Sequence, residues 1–550
     1  MLSAQSSWGG RLLKNILALR KSLRSFTLFM SSFALLMGVV VIPSGLQSAN
    51  AAPSTLVIGI PSFPGSWDQD YVGFDLVALS LYKNVYPYMI DYSVKSVAGK
   101  SVQDPENIIP TFAESFKSDA SGKVWTLKLK QGIKFPSGNE LTSADVKWSK
   151  DRAFAAKANV AGIYRNIGLT ASEQVVVVDK YTVRFDQTFA NPMTPQIQAI
   201  SLFVFDSVLV KSHATASDEW AKDWVAKNPQ TGGYYNVESF IQGQEIVLVA
   251  NPQYPGAVKP LSQKIILKVI PASANMRLQL EKGDIDIALG LPSSDIAALK
   301  KISSINVISS PSNITDEIQL NTNITPLNNK KVRQAIAYAI PYGTLINAVY
   351  NKDARHAQSP FPIEMPGSSK KGYPYTYSLV KAKALMKEAG VSGLTSEFAY
   401  TSSDVNQAKL GVIIQSSLAR IGIKLKLTPL DPATLSARRA KKDIPMQIAS
   451  GQQWVNDVEY LLSTSFTKTS FLNYANFSNK EIDAIFEKSH TVGSSTDRLK
   501  LWASVQSILA DEVPWIMLAQ PNFNLPVSKL VKGWVQPVDG LFRLQYLSKG

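Results

Sequence analysis

Strand-length apolar runs and helical segments alternate along the whole of this chain. TLVIGI (55–60), QVVVVD (174–179) and EIVLVA (245–250) are short and rich in β-branched residues, as strands are. Between such runs stand segments with the helical period. In KKVRQAIAYAI, Val332, Ala335, Ile336, Ala339 and Ile340 hold the i, i+3, i+4, i+7, i+8 spacing of one buried face. Sheets with helices packed on them satisfy both periods, whereas a β-sandwich or a helical bundle satisfies only one. The chain therefore reads as α/β or α+β. No tandem repeat interrupts the pattern, and 550 residues suffice for more than one domain or lobe.

Local punctuation gives the elements their ends. In KVWTLKLKQGIKFPSGNELTSADVKWSKDRAF (123–154), Trp125, Leu127 and Leu129 point one way and Thr126, Lys128 and Lys130 the other, the alternation of a half-buried strand. Pro136, Ser137 and Gly138 supply a turn, and Thr142, three residues before Asp145, forms an acidic variant of the capping box. Asn328 or Asn329 can cap the helix that carries Val332, and Pro341 either ends it or begins the next. SLVKAKALMKEAG has Ser378 as its cap and Gly390 as its left-handed stop. KGDIDIALGLPSSDIAALK reads as a short strand, a turn and a helix beginning near Ser294.

The N-terminus carries an export pattern. Arg11, Lys14, Arg20, Lys21 and Arg24 precede the apolar run FTLFMSSFALLMGVVVI (26–42), with no acidic residue before it. Ala49-Asn50-Ala51 then matches the small-x-small cleavage pattern, so residues 1–51 are expected to be a signal peptide cut after Ala51. An uncleaved anchor is the alternative, because the run approaches the roughly 18 residues that a spanning helix needs. With no cysteine in the chain, a lipoprotein anchor, disulfides, thiolate metal sites and a cysteine nucleophile are all excluded. The expected product is exported, to a periplasm or to the outer face of the cytoplasmic membrane. The formal net charge is +15, but the basic residues are scattered, and the runs Lys330–Lys331 and Arg438–Lys442 are isolated. A solvated basic surface fits this distribution better than a nucleic-acid face, which needs its cations clustered.

The catalytic inventory is thin. There is no H-E-x-x-H and no G-x-S-x-G, and Gly99-Lys100-Ser101 lacks the earlier glycine of a phosphate loop because Val94 stands there. His213, His356 and His490 are far apart in sequence and read as surface residues, so no metal and no cofactor is expected. Asp284 and Asp286 alternate on an expected strand edge, a pairing a glycosidase could use only inside a cleft. GQQWVNDVEYLL (451–462) is more suggestive, because Trp454, Asn456 and Asp457 follow the expected strand PMQIAS. A carboxylate beside an indole suits a cationic group, yet the residues alone leave Asp457 equally open as a helix cap.

Several segments then converge. FAESFKSDASGKVWTLKLKQGIKFPSGNELTSADVKWSKDRA resembles the signature of the family 5 extracytoplasmic solute-binding proteins that serve peptide- and nickel-type ABC importers. TGGYYNVESFIQGQEIVLVANPQYPG (231–256), QLEKGDIDIALGLPSSDI (279–296) and QLNTNITPLNNKKVRQAIAYAI (319–340) are similar to further blocks of that family in the same order. AKALMKEAG, IGIKLKL and NYANFSNKEIDAIFEKS extend the likeness almost to the C-terminus. The resemblance implies an α/β, two-lobed, periplasmic-binding-protein-like (Venus-flytrap) fold with an extra small domain on the first lobe. Mapped here, the first lobe takes residues 52–95, 230–318 and 515–550, the extra domain 96–229 and the second lobe 319–514. Hinge crossings are expected near Gln319–Asn323, with Gln319, Asn321 and Asn323 as hinge residues, and near Val513–Met517.

In peptide-binding members a W-x-x-D element supplies the carboxylate that meets the peptide's α-amino group. Trp454-Val455-Asn456-Asp457 matches it, which assigns Asp457, Trp454 and Asn456 to the ligand site. Two departures stand out: Val458, Glu459 and Tyr460 replace the acidic and proline-containing residues usual after that element, and Pro341 stands where the family often has Asp. The leading expectation is a non-catalytic, monomeric substrate-binding protein that captures short peptides between its lobes and delivers them to a membrane permease. The alternatives are the same fold with another solute (an oligosaccharide, an opine-like compound or a metal chelate), a secreted hydrolase using an acidic pair, and a basic envelope protein binding anionic polymer.

Overall fold

The computed structural model describes residues 55–71, 75–492 and 495–550. The expected signal segment lies outside these residues. Among the described residues, no helix is long and apolar enough to cross a membrane.

The elements expected from local punctuation form as the side chains dictate. Val124–Leu129 is a strand with Leu127 and Leu129 fully buried, and Trp125 stacks on Phe116 at 4.8 Å. Asp145 Oδ2 accepts from the Thr142 backbone N–H at 2.8 Å, closing the capping box on the helix Ser143–Ala155. Asn329 caps Lys330–Tyr338 through the Lys331 N–H, and Pro341 stands at the N-cap of the next helix, Tyr342–Tyr350. Ser378 caps Leu379–Glu388, with Gly390 beyond it at φ +67°.

One strand, Trp515–Ser528, organises the two-lobed α/β architecture. Its first part, Trp515 to Ala519, pairs antiparallel with Ile314–Leu320 in the second-lobe sheet, which continues through Met446–Gln452, Leu394–Thr401 and Ile423–Leu430. Its last part, Asn522 to Ser528, pairs with Ile305–Pro311 and touches Ile287 of the first-lobe sheet, where Thr55–Ile60 and Lys264–Val269 run parallel. The chain therefore passes between lobes at Ser312–Asn313 and again at Gln520–Pro521. Gln520 Nε2 donates to Ser312 O at 2.6 Å and Ser312 Oγ to Pro521 O at 2.5 Å, so the two passages are tied side by side. The expected hinge residues Gln319, Asn321 and Asn323, and the segment 513–517, fall on the second-lobe side of this crossing. Gln319 is buried in that lobe's sheet opposite Trp515 and Gln447, and Asn321 Nδ2 donates to Lys442 O at 2.9 Å.

The cores follow the strand alternation. In the second lobe, Ile318, Ile448, Ile516 and Leu518 pack on one face of the sheet, and Trp515 and Met517 pack on the other against Val458, Phe466 and Trp502. The first lobe and the region 96–229 share one continuous core in which Leu56, Tyr82, Leu127, Phe185 and Phe205 all take part. Leu289 of the first-lobe sheet belongs to the same cluster. The small sheet of Ala113–Ser118, Val124–Leu129, Thr182–Asp186 and Val175–Asp179 is thus fused to the first lobe.

Candidate functional site

The strand Met446–Gln452 ends beside the crossing, and this placement aims the residues that follow. Gln453 N donates to Asn313 O at 3.0 Å, holding the chain at the passage between lobes. The WVND turn then leaves the second lobe and enters the first. Trp454, Val455 and Tyr460 are buried in the first-lobe core cluster. Trp454 lines a cavity of about 50 Å³ together with Gln69, Tyr88, Ile200, Phe203 and Leu541. Gln69 Nε2 bonds the Tyr88 hydroxyl, and Gln69 Oε1 has no hydrogen-bond partner among the described residues. The cavity is walled mainly by apolar side chains, with Gln69, Tyr88 and Asn159 as its polar residues.

Asp457 sits where the turn becomes a helix. Its Oδ1 accepts from the Glu459 N–H at 2.8 Å and caps the short helix Val458–Leu461, so the helix-cap reading holds. Its side chain is 28% exposed, and Oδ2 lies 3.8 Å from Arg498 Nη2. Burial raises its pKa, Arg498 opposes the rise, and Glu106 adds to it. Asn456 is half-buried beside it.

Glu459 is the residue that the sequence marked only as a departure from the family pattern. It is wholly buried, bonds Arg498 Nη2, and accepts from Asn191 Nδ2 at 2.9 Å. Asn191 lies in the region 96–229, so this hydrogen bond joins that region to the second lobe. Beside it His490 stacks on Phe189 at 3.8 Å. Burial pushes the Glu459 carboxyl up to about 7, with Arg498 pulling it down and Asp457 pushing it further up. Arg498 and Asn191 carried no sequence signal, because neither stands in a motif and both are remote from WVND along the chain.

Other expected candidates separate. Asp284 is exposed ahead of the two-residue strand Ile287–Ala288. Asp286 is buried, accepting from Val57 N at 2.9 Å and pairing with Lys549 Nζ at 2.9 Å. The expected pair on one strand face is not formed, because the strand begins only after both residues. His213 is exposed and stacks on Trp224 at 3.9 Å. Two histidines expected at the surface are instead packed on rings: His356 against Tyr342 at 3.8 Å, its pKa pushed down to about 4 by burial, and His490 as above. Among the described residues, no three His, Asp or Glu are placed to share a metal ion.

Comparison with known proteins agrees with this geometry. The family model described as bacterial extracellular solute-binding proteins, family 5 (middle), matches residues 107–473. Over 473 residues the chain is 29% identical to the probable D,D-dipeptide-binding periplasmic protein of Escherichia coli (strain K12), covering 84% of this chain and 88% of that one. Among solved structures, the periplasmic binding protein of Helicobacter pylori in complex with the peptide STSA superposes with a TM-score of 0.80 at 23% identity, over 90% of this chain and 98% of that one. A binding protein of A. tumefaciens R10 in complex with agropinic acid superposes with a TM-score of 0.77 at 22% identity, over 90% and 99% of the two chains.

Proposed function

The chain belongs to family 5 of the bacterial extracellular solute-binding proteins, and from that membership we propose that it captures short peptides between its lobes and delivers them to the permease of an ABC importer. The observation that carries this reading is the WVND turn, which reaches from the second lobe into the first and sets Trp454 in the wall of a cavity with Gln69 and Tyr88. Asp457 Oδ2 pairs with the peptide's α-amino group; a charge-assisted hydrogen bond of this kind contributes about 1.5–3 kcal/mol. Asn456 contributes polar contact beside it. Because a ligand held by both lobes favours the closed arrangement only by its differential affinity for it, the hinge matters. It lies at Ser312–Asn313, which links the strands Ile305–Pro311 and Ile314–Leu320, and at Gln520–Pro521 within Trp515–Ser528. The protein works as an exported monomer after removal of residues 1–51.

The test is to purify the mature protein and identify co-purifying solute by native mass spectrometry, then to titrate that solute and a dipeptide library by calorimetry. Recovery of free-amino peptides, with loss of binding on N-acetylation, supports the reading. Recovery of a solute without an amine, together with silence towards the library, overturns it. A second reading, a non-peptide solute such as an opine, is favoured by the likeness to the agropinic acid complex and by Val458, Glu459 and Tyr460 after the W-x-x-D element. The same co-purification distinguishes the two.

A further inference from the structure

The charges around Asp457 do not balance. Asp457 and Glu459 present two carboxylates to a single guanidinium: Arg498 Nη2 bonds Glu459 Oε2 and stands 3.8 Å from Asp457 Oδ2. Arg498 is itself buried on the long helix Ser495–Glu512. The remaining neighbours supply no second positive charge. Asn191 donates to Glu459 as a neutral amide. His490 Nε2 lies 3.8 Å from Glu459 Oε1 and has no hydrogen-bond partner among the described residues. Its ring is held between Phe189 and Phe486, and burial lowers its pKa, so it is neutral near pH 7. The other charged groups nearby, Glu487 at 4.0 Å from His490 Nδ1 and Glu106 facing Asp457 from the strand Lys100–Pro110, are acidic. A buried site short of one positive charge must take up a cation or a proton.

Resting on the peptide reading above, we propose that Asp457, Glu459 and Arg498 act as one unit that exchanges a proton for the ligand's ammonium group, with Glu459 as the positioning residue that keeps Arg498 off Asp457. In the ligand-free protein the pair of carboxylates shares one proton. When an ammonium seats at Asp457 Oδ2, that proton leaves to solvent and the unit again holds as many positive as negative charges. The geometry assigns the division of labour. Glu459, fully buried and fixed by Asn191, engages the guanidinium, while Asp457, half-exposed at the helix start, keeps one oxygen for the ligand. The upward pKa shifts of both carboxyls agree with a shared proton, since that of Glu459 reaches about 7. Two carboxylates this close titrate as a pair, so the proton belongs to neither alone.

The experiment is calorimetry of the mature protein with Ala-Ala and a dipeptide library, at pH 7 and pH 8, in two buffers of different ionisation enthalpy. Wild type is expected to release about half a proton per peptide from the carboxyl pair at pH 7 and less at pH 8, over and above the protons that the peptide's own amine (ordinary pKa about 8) takes up on binding as ammonium, an uptake common to every variant. Glu459→Gln removes one negative charge while keeping the shape of the side chain. It is expected to bind at least tenfold more weakly at pH 8, because Arg498 is then free to occupy Asp457, and to show only the uptake by the peptide's amine, with no release from the carboxyls. Adding Arg498→Met to Glu459→Gln restores the single negative charge and should recover most of the lost affinity, a rescue that a merely structural role for Glu459 does not produce. The same net proton exchange in wild type and Glu459→Gln at pH 7 overturns the exchange. Failure of the double variant to recover binding, with both variants folded by circular dichroism, overturns the positioning role. Absence of heat from every free-amino dipeptide overturns the peptide reading and the exchange with it, and is thereby told apart from failure of the exchange alone.

Discussion

Two of the buried guanidinium clusters are finished differently. In the first lobe, Arg543 Nη2 is 2.8 Å from Asp91 Oδ1 and 2.7 Å from Asp539 Oδ2, and Lys83 Nζ approaches Asp91 at 3.4 Å. Two carboxylates meet two cations there. Burial alone would raise Asp91, yet Arg543 and Lys83 hold its carboxyl below the ordinary value. At the WVND turn, two carboxylates meet one cation, and both pKa values rise. A third cluster, Arg152 between Asp68 and Asp70, has Lys150 close by, but burial pushes Asp70 up to about 7 and Lys150 down to about 7, so its second cation is only partly charged. Of the three, the WVND cluster has no second cation at all, and it is the one that joins the lobes. A charge deficit is costly to bury, so its position beside Trp454 marks where an external cation belongs.

The comparison breaks most sharply at Arg543. Replacing it by Met strands the buried Asp539 and leaves Asp91 with Lys83 alone, and the expected loss of folding stability is about 3–5 kcal/mol in urea denaturation at pH 7. A loss below about 1 kcal/mol would show that the balanced cluster holds nothing together. Glu459 should behave in the opposite sense. Its folded pKa of about 7 lies above the ordinary 4.5, so the folded state holds its proton more tightly than the unfolded state does. The stability it contributes is full below pH 4.5 and lost as pH rises towards 7, on the order of 3 kcal/mol across that window. Glu459→Gln should therefore flatten the pH dependence of the unfolding midpoint between pH 5 and 7; identical profiles for variant and wild type would rule out the shift.

Asp457→Ala sharpens the same contrast with a smaller effect on the fold. Affinity for a free-amino dipeptide should fall at least tenfold, about 1.4 kcal/mol, with binding of an N-acetylated dipeptide unmoved. Stability should change by only about 1 kcal/mol, the value of one helix cap, on a helix as short as Val458–Leu461. Unchanged affinity by calorimetry would leave Asp457 a cap and nothing more.

How far the sequence reached depends on whether the cause was local. Thr142, Asn329, Ser378 and Gly390 were legible as caps and stops because each acts on backbone groups within a few residues. The family likeness ran through such segments and carried the two-lobed fold with it. The likeness put the crossing near 319–323 and 513–517, a few residues from where the long strand changes partners, because alternation reads the same in both lobes. Nothing in the residues of Trp515–Ser528 announces that the strand changes partners after Ala519. At the site, Trp454 and Asp457 could be found from a four-residue motif. The partners that set their chemistry, Arg498, Asn191 and Gln69, come from three separate stretches and meet only through packing.

The smallest expected effect tests the acidic pair that sequence alternation suggested. Asp284 is exposed and precedes its strand, whereas Asp286 is buried against Val57 N and Lys549 Nζ. Only the second has partners to lose. Asp284→Asn should leave both folding stability and dipeptide affinity within about 0.5 kcal/mol of wild type, as exposed substitutions do. Asp286→Asn should cost more in denaturation, since its carboxylate meets a cation and a backbone donor, and still leave affinity unmoved. A tenfold loss of binding from either variant would place ligand chemistry at the first-lobe strand, where the charges already match, and would break the link between charge deficit and ligand site.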